Sequence, residues 1–428
     1  MDKRIPGGVF APDNPFGRLR HRGLFFVLSG LLLMPLRAQM LHPYEPTPFR
    51  RDQLDGRPFA YDGMSFLHRL SYQPMPYLGR LQPVPDKVLQ GTTGSISRNE
   101  FYTRIEATAH IPLDGPLFSG YRFRRDEDFD GRFDWNLIGL GLELGQWRLS
   151  YWGDVVAEKD AIDTHIDLSW TDPGRSMFRF VWVMPDMIFN RKSETAVYEP
   201  RPYTLFLRGE RWLTERVALK GFAQVNNRTV LRDTVAGVKT KNRAQSGGGS
   251  VEVRVSEDVS VEVYAEGLRG TRLRQGVLSP LQDDFDFDRF YRSATTEVRW
   301  RDAGGHSQWA GFRYLVFQET WEGLSGPAPD SEEDRREATL YWGREIPMQG
   351  ALTFVPSLFL GYHQIEQSGV RAGRNGEDWS TADFYGKFAP AWRWTLREET
   401  GAHLTLLVSA RLHRPAFGGG NVQVVFPF

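Results

Sequence analysis

The chain has no cysteine among its 428 residues. That removes disulfides, thiol nucleophiles and thiolate metal sites together. Neither sign of charge dominates, with 53 basic residues against 53 acidic ones. A nucleic-acid surface would leave a basic excess, so that class of partner is excluded. Past residue 38 there is no long uncharged apolar run, and a membrane-spanning helix needs roughly twenty such residues. Past residue 100 no stretch keeps helical periodicity for more than two turns. No glycine-rich loop opens a helix as a phosphate cradle would require. The runs 247–249 and 418–420 are read instead as flexible junctions between loop and strand. His363 and Ser368 are close in sequence, but no third group is placed to orient the histidine as a nucleophilic serine would need. His165 and His403 fall on other segments, and no enzyme is expected.

Aromatics, by contrast, are abundant: 29 Phe, 15 Tyr and 13 Trp. The amino-terminal stretch reads as a secretory signal over 1–38. Arg18, Arg20 and Arg22 flank the apolar run 23–34, and Ala38 is a suitable last residue before cleavage. Removing its six basic and two acidic residues leaves 47 basic against 51 acidic. Residues 39–97 are rich in proline and aromatics, among them Phe49, Phe59, Tyr61, Phe66, Tyr72 and Tyr77. This segment is expected to lie in the periplasm or to plug a lumen, and to hold one first strand between Met64 and Arg98.

From residue 98 to 428 the pattern becomes regular. In 101–111, Thr103, Ile105, Ala107, Ala109 and Ile111 share one face, while Arg104, Glu106, Thr108 and His110 share the other. In 402–412, Leu404, Leu406, Val408, Ala410 and Leu412 oppose His403, Thr405, Ser409 and Arg411, with Leu407 the apolar exception. Alternation of period two marks half-polar strands. The connections sort by parity. Tight ones at 112–114, 145–146, 171–175, 213–216, 256–258, 301–306, 347–350 and 398–401 alternate with long polar ones at 126–131, 185–202, 228–249, 268–290, 319–337 and 366–379, with short connections at 158–161 and 414–420 as the exceptions. Short turns on one side and long loops on the other are what a membrane barrel has. The expected fold is all-β, a transmembrane antiparallel barrel of about eighteen strands, with sixteen the alternative.

The final strand carries Val422, Val424, Phe426 and Phe428 on one face. This ending resembles the carboxy-terminal strand of Gram-negative outer-membrane β-barrels of the porin type. The resemblance implies that Val424, Phe426 and Phe428 act as an assembly signal for the barrel assembly machinery. It also implies residence in the outer membrane, among lipid and lipopolysaccharide.

If apolar positions face lipid, the alternate ones face the lumen. They include Arg104, Glu106, Arg122, Arg124, Arg148, Asp154, Asp167, Arg179, Arg208, Glu252, Glu262, Glu266, Arg299, Arg313 and Arg411. So many charges must be wetted or ion-paired, because an unpaired buried ion costs several kcal/mol. The expected function is a channel for small polar solutes. The alternative is a non-conducting barrel for surface-polysaccharide assembly or export, with a glycan as partner. No cofactor is expected beyond Ca2+ in a loop. Asp126, Asp128 and Asp130 stand at alternate positions before Gly131, like half of a calcium loop, but Leu137 occupies the position of the closing bidentate carboxylate.

Overall fold

The structure is a computed structural model. It describes residues 87–97, 100–128, 131–154, 164–172, 175–184, 195–277, 284–324, 331–369, 379–412 and 415–427. The signal at 1–38 and most of the aromatic segment, 39–86, lie outside the described residues.

Twenty strands form one antiparallel sheet. The first half of the wall is β1 (Lys87–Ser97), β2 (Glu100–Pro112), β3 (Leu117–Asp128), β4 (Gly131–Leu144), β5 (Trp147–Asp154), β6 (Thr164–Asp172), β7 (Ser176–Met184), β8 (Ala196–Tyr198), β9 (Thr204–Trp212) and β10 (Val217–Asp233). The second half is β11 (Val238–Arg254), β12 (Val259–Gly276), β13 (Phe285–Arg301), β14 (Ser307–Gly323), β15 (Ser331–Arg344), β16 (Ile346–Pro347), β17 (Leu352–Gly369), β18 (Trp379–Arg397), β19 (Ala402–Arg411) and β20 (Ala416–Pro427). Each pairs with its neighbour, and β1 pairs with β20 through Leu89↔Phe426, Gly91↔Val424 and Thr93↔Val422. The sheet is therefore closed, with no free edge to template aggregation or to leave backbone groups unpaired in lipid.

Two of the twenty add nothing to the circumference. β8 extends the line of β9 and pairs with Leu231–Asp233 of β10. β16 extends the line of β15 and pairs with Phe354 and Thr353. Eighteen strands remain around the ring, as alternation in the sequence predicts. The strand required before Phe101 is β1.

The break between β8 and β9 is stitched by Asn227, in the bulge of β10. Its Oδ1 accepts from the Tyr203 amide at 2.8 Å, and its Nδ2 donates to the Arg201 carbonyl at 2.9 Å. The side chain thus replaces the ladder bonds that an interrupted strand forfeits.

The structure corrects the loop boundaries. Most of the residues expected in the long loops at 228–249, 268–290 and 319–337 are strand. β10 and β11 pair as far as Asp233↔Val238, which leaves only 234–237 as their connection. Gly247, Gly248 and Gly249 are not a flexible junction: they pair with Ala223, Phe222 and Gly221 inside the sheet. The run at 418–420 likewise belongs to β20. The physical reason is that alternation records only the stretch with lipid on one side. Where both faces meet polar surroundings the hydrophobic pattern fades, while the backbone ladder continues. Tight turns do sit where expected. In the two-residue turn at 145–146, Gly145 takes φ 62°, the left-handed conformation such turns demand.

The two faces of the wall differ in chemistry. Ile138, Leu140, Leu142 and Leu144 on β4 are 37–62 % exposed, whereas Leu137 just before them is 1 % exposed. Leu149, Tyr151, Phe178, Trp182, Val263, Phe312, Tyr314, Leu340, Leu360 and Phe384 continue the apolar exterior around the ring. A water-soluble monomer rarely exposes more than a few hundred Å2 of contiguous apolar surface, so this belt has hydrocarbon as its solvent.

Candidate functional site: the inward face

The inward face is where the charges are. Alternation fixes this on every strand: on β14, Trp309, Arg313, Leu315, Phe317 and Glu319 are buried while Phe312 and Tyr314 between them are exposed. Arg122, Arg148, Asp154, Asp167, Arg179, Arg208, Glu252, Glu262, Glu266, Arg299, Arg313 and Arg411 are all buried or half-buried at inward positions. Arg104, Glu106 and Arg124 belong to β2 and β3, and their side chains are outside the described set.

Pairing, rather than bare exposure to water, satisfies these ions. On the β3–β7 arc, Asp167 receives Arg122 Nη2 at 3.1 Å and Arg179 Nε at 2.9 Å, with a second contact from Arg179 Nη2. The Arg122 guanidinium also lies 3.7 Å from the centre of the Trp152 ring, a cation–π contact. Arg148 reaches the His110 Nδ1 at 3.2 Å and pairs with Glu143.

On the β9–β13 arc carboxylates gather around shared cations. Lys220 Nζ stands 2.6 Å from Glu252, 3.9 Å from Glu210 and 3.9 Å from Glu262, one cation among three carboxylates. Arg299 bonds Glu297 at 2.5 Å and faces Glu262 at 3.6 Å. Tyr341 Oη donates to the other Glu297 oxygen at 2.8 Å. Glu266 is held by Tyr264 Oη at 2.5 Å, Tyr291 Oη at 2.9 Å and Ser293 Oγ at 3.1 Å, with Arg313 at 3.9 Å. Farther along the same wall Arg289 pairs with Glu319, and Arg335 with Glu333 and Glu337. Glu266 and Glu297 each have more than one donor, the condition under which a desolvated ion stops being a large cost.

Aromatic side chains also face inward, which the sequence reading had reserved for lipid. Six of them lie over a glycine that is their direct cross-strand partner. The pairs are Phe118–Gly141, Trp152–Gly139, Phe222–Gly248, Trp309–Gly343, Tyr341–Gly311 and Tyr385–Gly361. A Cβ on any of these glycines would collide with the ring above it. The missing side chain is the seat for the ring. A signal was present in the sequence as glycine at inward positions of strand segments, a placement that usually weakens a strand unless something approaches closely.

A small recess of about 30 Å3 opens at the end of the wall away from the tight turns, lined by Asn226, Asn242, Leu268, Arg272, Phe287 and Arg289 among others. Within it Arg272 Nε donates to Asn242 Oδ1 at 2.9 Å.

His363 and Ser368 are five residues apart on continuous β17 and so point to opposite faces. His363 instead stacks on Tyr385, ring centres 5.3 Å apart. Asp126 and Asp128 were expected in a loop. They are in β3, paired with Phe133 and Gly131, so the strand consumes the backbone that a cation-wrapping loop would need. Asp130 lies outside the described residues, as does Phe428 of the assembly signal. Among the described residues no group of three or more His, Asp or Glu side chains converges as a metal site.

No protein-family model matches the chain, and no curated protein sequence matches it. Solved structures with a similar arrangement include a BenF-like porin from Pseudomonas fluorescens Pf-5, at 10 % identity, 80 % of this chain, 97 % of that one and a TM-score of 0.40. OprD of Pseudomonas aeruginosa aligns at 10 % identity over 80 % and 94 % of the two chains, with a TM-score of 0.38. A bacterial polysaccharide outer membrane secretin aligns at 9 % identity over 81 % and 100 %, with a TM-score of 0.39. At these scores the likenesses carry no weight for function, and the assignment of fold rests on the chain's own pairing. A closed ring of eighteen antiparallel strands, apolar outside and charged within, is the architecture of an outer-membrane β-barrel.

Proposed function

We propose that this protein is an outer-membrane channel that passes small polar solutes along its charged inner wall. The observation that carries the reading is the density of charge on the inward face, gathered into ion-paired clusters. Arg122 and Arg179 meet at Asp167 on the β3–β7 arc, and Lys220 stands among Glu210, Glu252 and Glu262 on the β9–β13 arc. A wall meant only to hold a barrel shut gains nothing from carrying so many ions. A solute with hydroxyls or a dipole gains hydrogen-bond partners of both kinds as it passes. Eighteen strands also make a ring wide enough for an aqueous path. On this reading the assembly machinery engages the β20 edge with Val424, Phe426 and Phe428, and the surrounding partners are outer-membrane lipid and lipopolysaccharide.

Single-channel recording in planar bilayers tests it. Steady conductance from the full chain is the expected result. Silence that gives way to conductance only when residues 39–86 are deleted would point to the export or assembly barrel instead. Silence in both forms would overturn the channel. The deletion has to stop before Lys87, because β1 closes the ring.

A further inference from the structure

The strand extensions beyond the apolar belt carry a second feature, on their outward face. On β11 the outward positions run Val253, Val251, Gly249, Gly247, Gln245, Arg243, Lys241 and Lys239, alternating with inward Ser250, Ser246, Ala244 and Val238. Val253 and Arg243 are ten residues apart. At about 3.3 Å per residue and a tilt of about 40°, that is about 25 Å of height, the full apolar band of such a barrel. Arg243 therefore stands at its upper edge, and Lys241 and Lys239 stand above it.

Neighbouring strands add to the row. Arg232 is the register partner of Lys239 and is exposed. Arg269, paired with the outward Gln245, is exposed on β12, and Arg292 is exposed on β13. Glu199 answers Arg232 at 3.0 Å and Asp288 answers Arg269 at 3.1 Å. Among the described residues, no carboxylate pairs with Lys239, Lys241, Arg243 or Arg292. Asp286 is exposed on β13, and the corresponding outward positions of β14 and β15 are mixed, with Glu322, Glu332 and Asp334 beside Arg336. The basic row is thus confined to one sector. It lies on the side carrying the longer connections, opposite the tight turns and the end of β20.

We propose that this sector binds the phosphorylated headgroups of outer-leaflet lipopolysaccharide. The inference rests on the outer-membrane reading above. A fixed cation at the hydrocarbon edge meets whatever headgroup packs against the wall, and each one near an anionic surface adds to the attraction. Lys and Arg also suit this depth because their aliphatic stems lie along apolar surface while the charge reaches the interface. Two rows about 5 Å apart, on paired strands, match a headgroup with more than one phosphate better than a single mobile counter-ion.

The test uses the full chain folded in detergent micelles, with purified lipopolysaccharide, the same lipid after enzymatic dephosphorylation, and inorganic phosphate as separate probes. The variant is Lys239→Gln, Lys241→Gln and Arg243→Gln together. Its fold is checked by gel mobility before and after boiling, and its bore by conductance. Expected is binding of intact lipid by the parent, at least tenfold weaker binding by the triple variant, a similar loss on dephosphorylation, and unchanged conductance. Equal binding by parent and variant, or by intact and dephosphorylated lipid, would overturn the proposal. So would saturation by inorganic phosphate at the same concentration as by lipid. Absence of conductance in both proteins, with lipid binding as expected, would count against the channel and leave the lipid site standing.

Discussion

Trp152 lies across the bare backbone of Gly139, its partner in the β4–β5 ladder, and Arg122 covers the other side of the same ring at 3.7 Å. The indole Nε1 donates to Ser150 Oγ at 2.8 Å, which fixes its tilt. A residue with no side chain, an apolar ring and a cation form one stack, and Asp167 holds the cation from beyond.

A methyl at Gly139 should therefore be costly. Gly139→Ala loses some unfolded-state entropy, a gain of about 0.4–1 kcal/mol. Against that, forcing the ring from its seat costs about 1–3 kcal/mol. The net expected is destabilisation, read as a lower urea midpoint. In a Trp152→Leu background the same substitution should cost much less. A parent-like midpoint for the single variant would show that the ring does not rest there.

The exterior is tested by Val408→Arg. Val408 is 44 % exposed, in the middle of β19, and faces hydrocarbon on this reading. A cation there should cost about 2–4 kcal/mol in reversible unfolding from lipid, whereas Val408→Leu should be near neutral. An arginine at the luminal Thr405 is not a mild control, because Thr405 is 2 % exposed and the substitution must displace packed neighbours. Thr405→Ser serves in its place.

Ion selectivity should follow the two arcs. Lys220→Met leaves Glu210, Glu252 and Glu262 without their shared cation, and the reversal potential in a salt gradient should move toward cation preference. Asp167→Asn frees Arg122 and Arg179 and should move it toward anions. Shifts of the same sign in both variants would mean that the arcs do not line the conducting path.

A pH effect is expected at the turn between β13 and β14. Asp302 accepts from the His306 amide at 3.0 Å, the Gly304 amide at 2.9 Å and Arg344 at 2.6 Å. The His306 amide is the largest cause holding its carboxyl below the ordinary carboxylate range, with Gly304, the His306 ring and Arg344 adding to it. A group whose folded pKa is depressed stabilises above its unfolded pKa, and that contribution is lost as pH falls through the folded one. Hydrogen exchange at the Gly304 and His306 amides, corrected for intrinsic rate, should therefore stay slow at neutral pH and accelerate below about pH 4. Asp302→Asn should flatten the profile. Protection independent of pH in the parent would refute the assignment.

Much of this architecture could be read from residue order, and the reason is periodicity. A strand between lipid and a polar interior must alternate, so Leu404, Leu406 and Val408 declared the outside and Thr405 and Ser409 the inside before any fold was known. Parity of the connections required an extra strand before Phe101, and β1 supplies it. The luminal charges followed from the same rule. What alternation could not supply was anything set by which strand stands beside which. Closure of β1 on β20, the seating of Trp152 on Gly139, the meeting of Arg122 and Arg179 at Asp167, and the three carboxylates around Lys220 all join residues far apart in the chain. The polar extensions of β10 to β15 were also hidden, because a strand with polar surroundings on both faces leaves no hydrophobic rhythm to read. The sequence thus determined the orientation of each side chain, while the register of eighteen strands around a closed ring decided its neighbours, and it is those neighbours that make the inner wall a patterned surface.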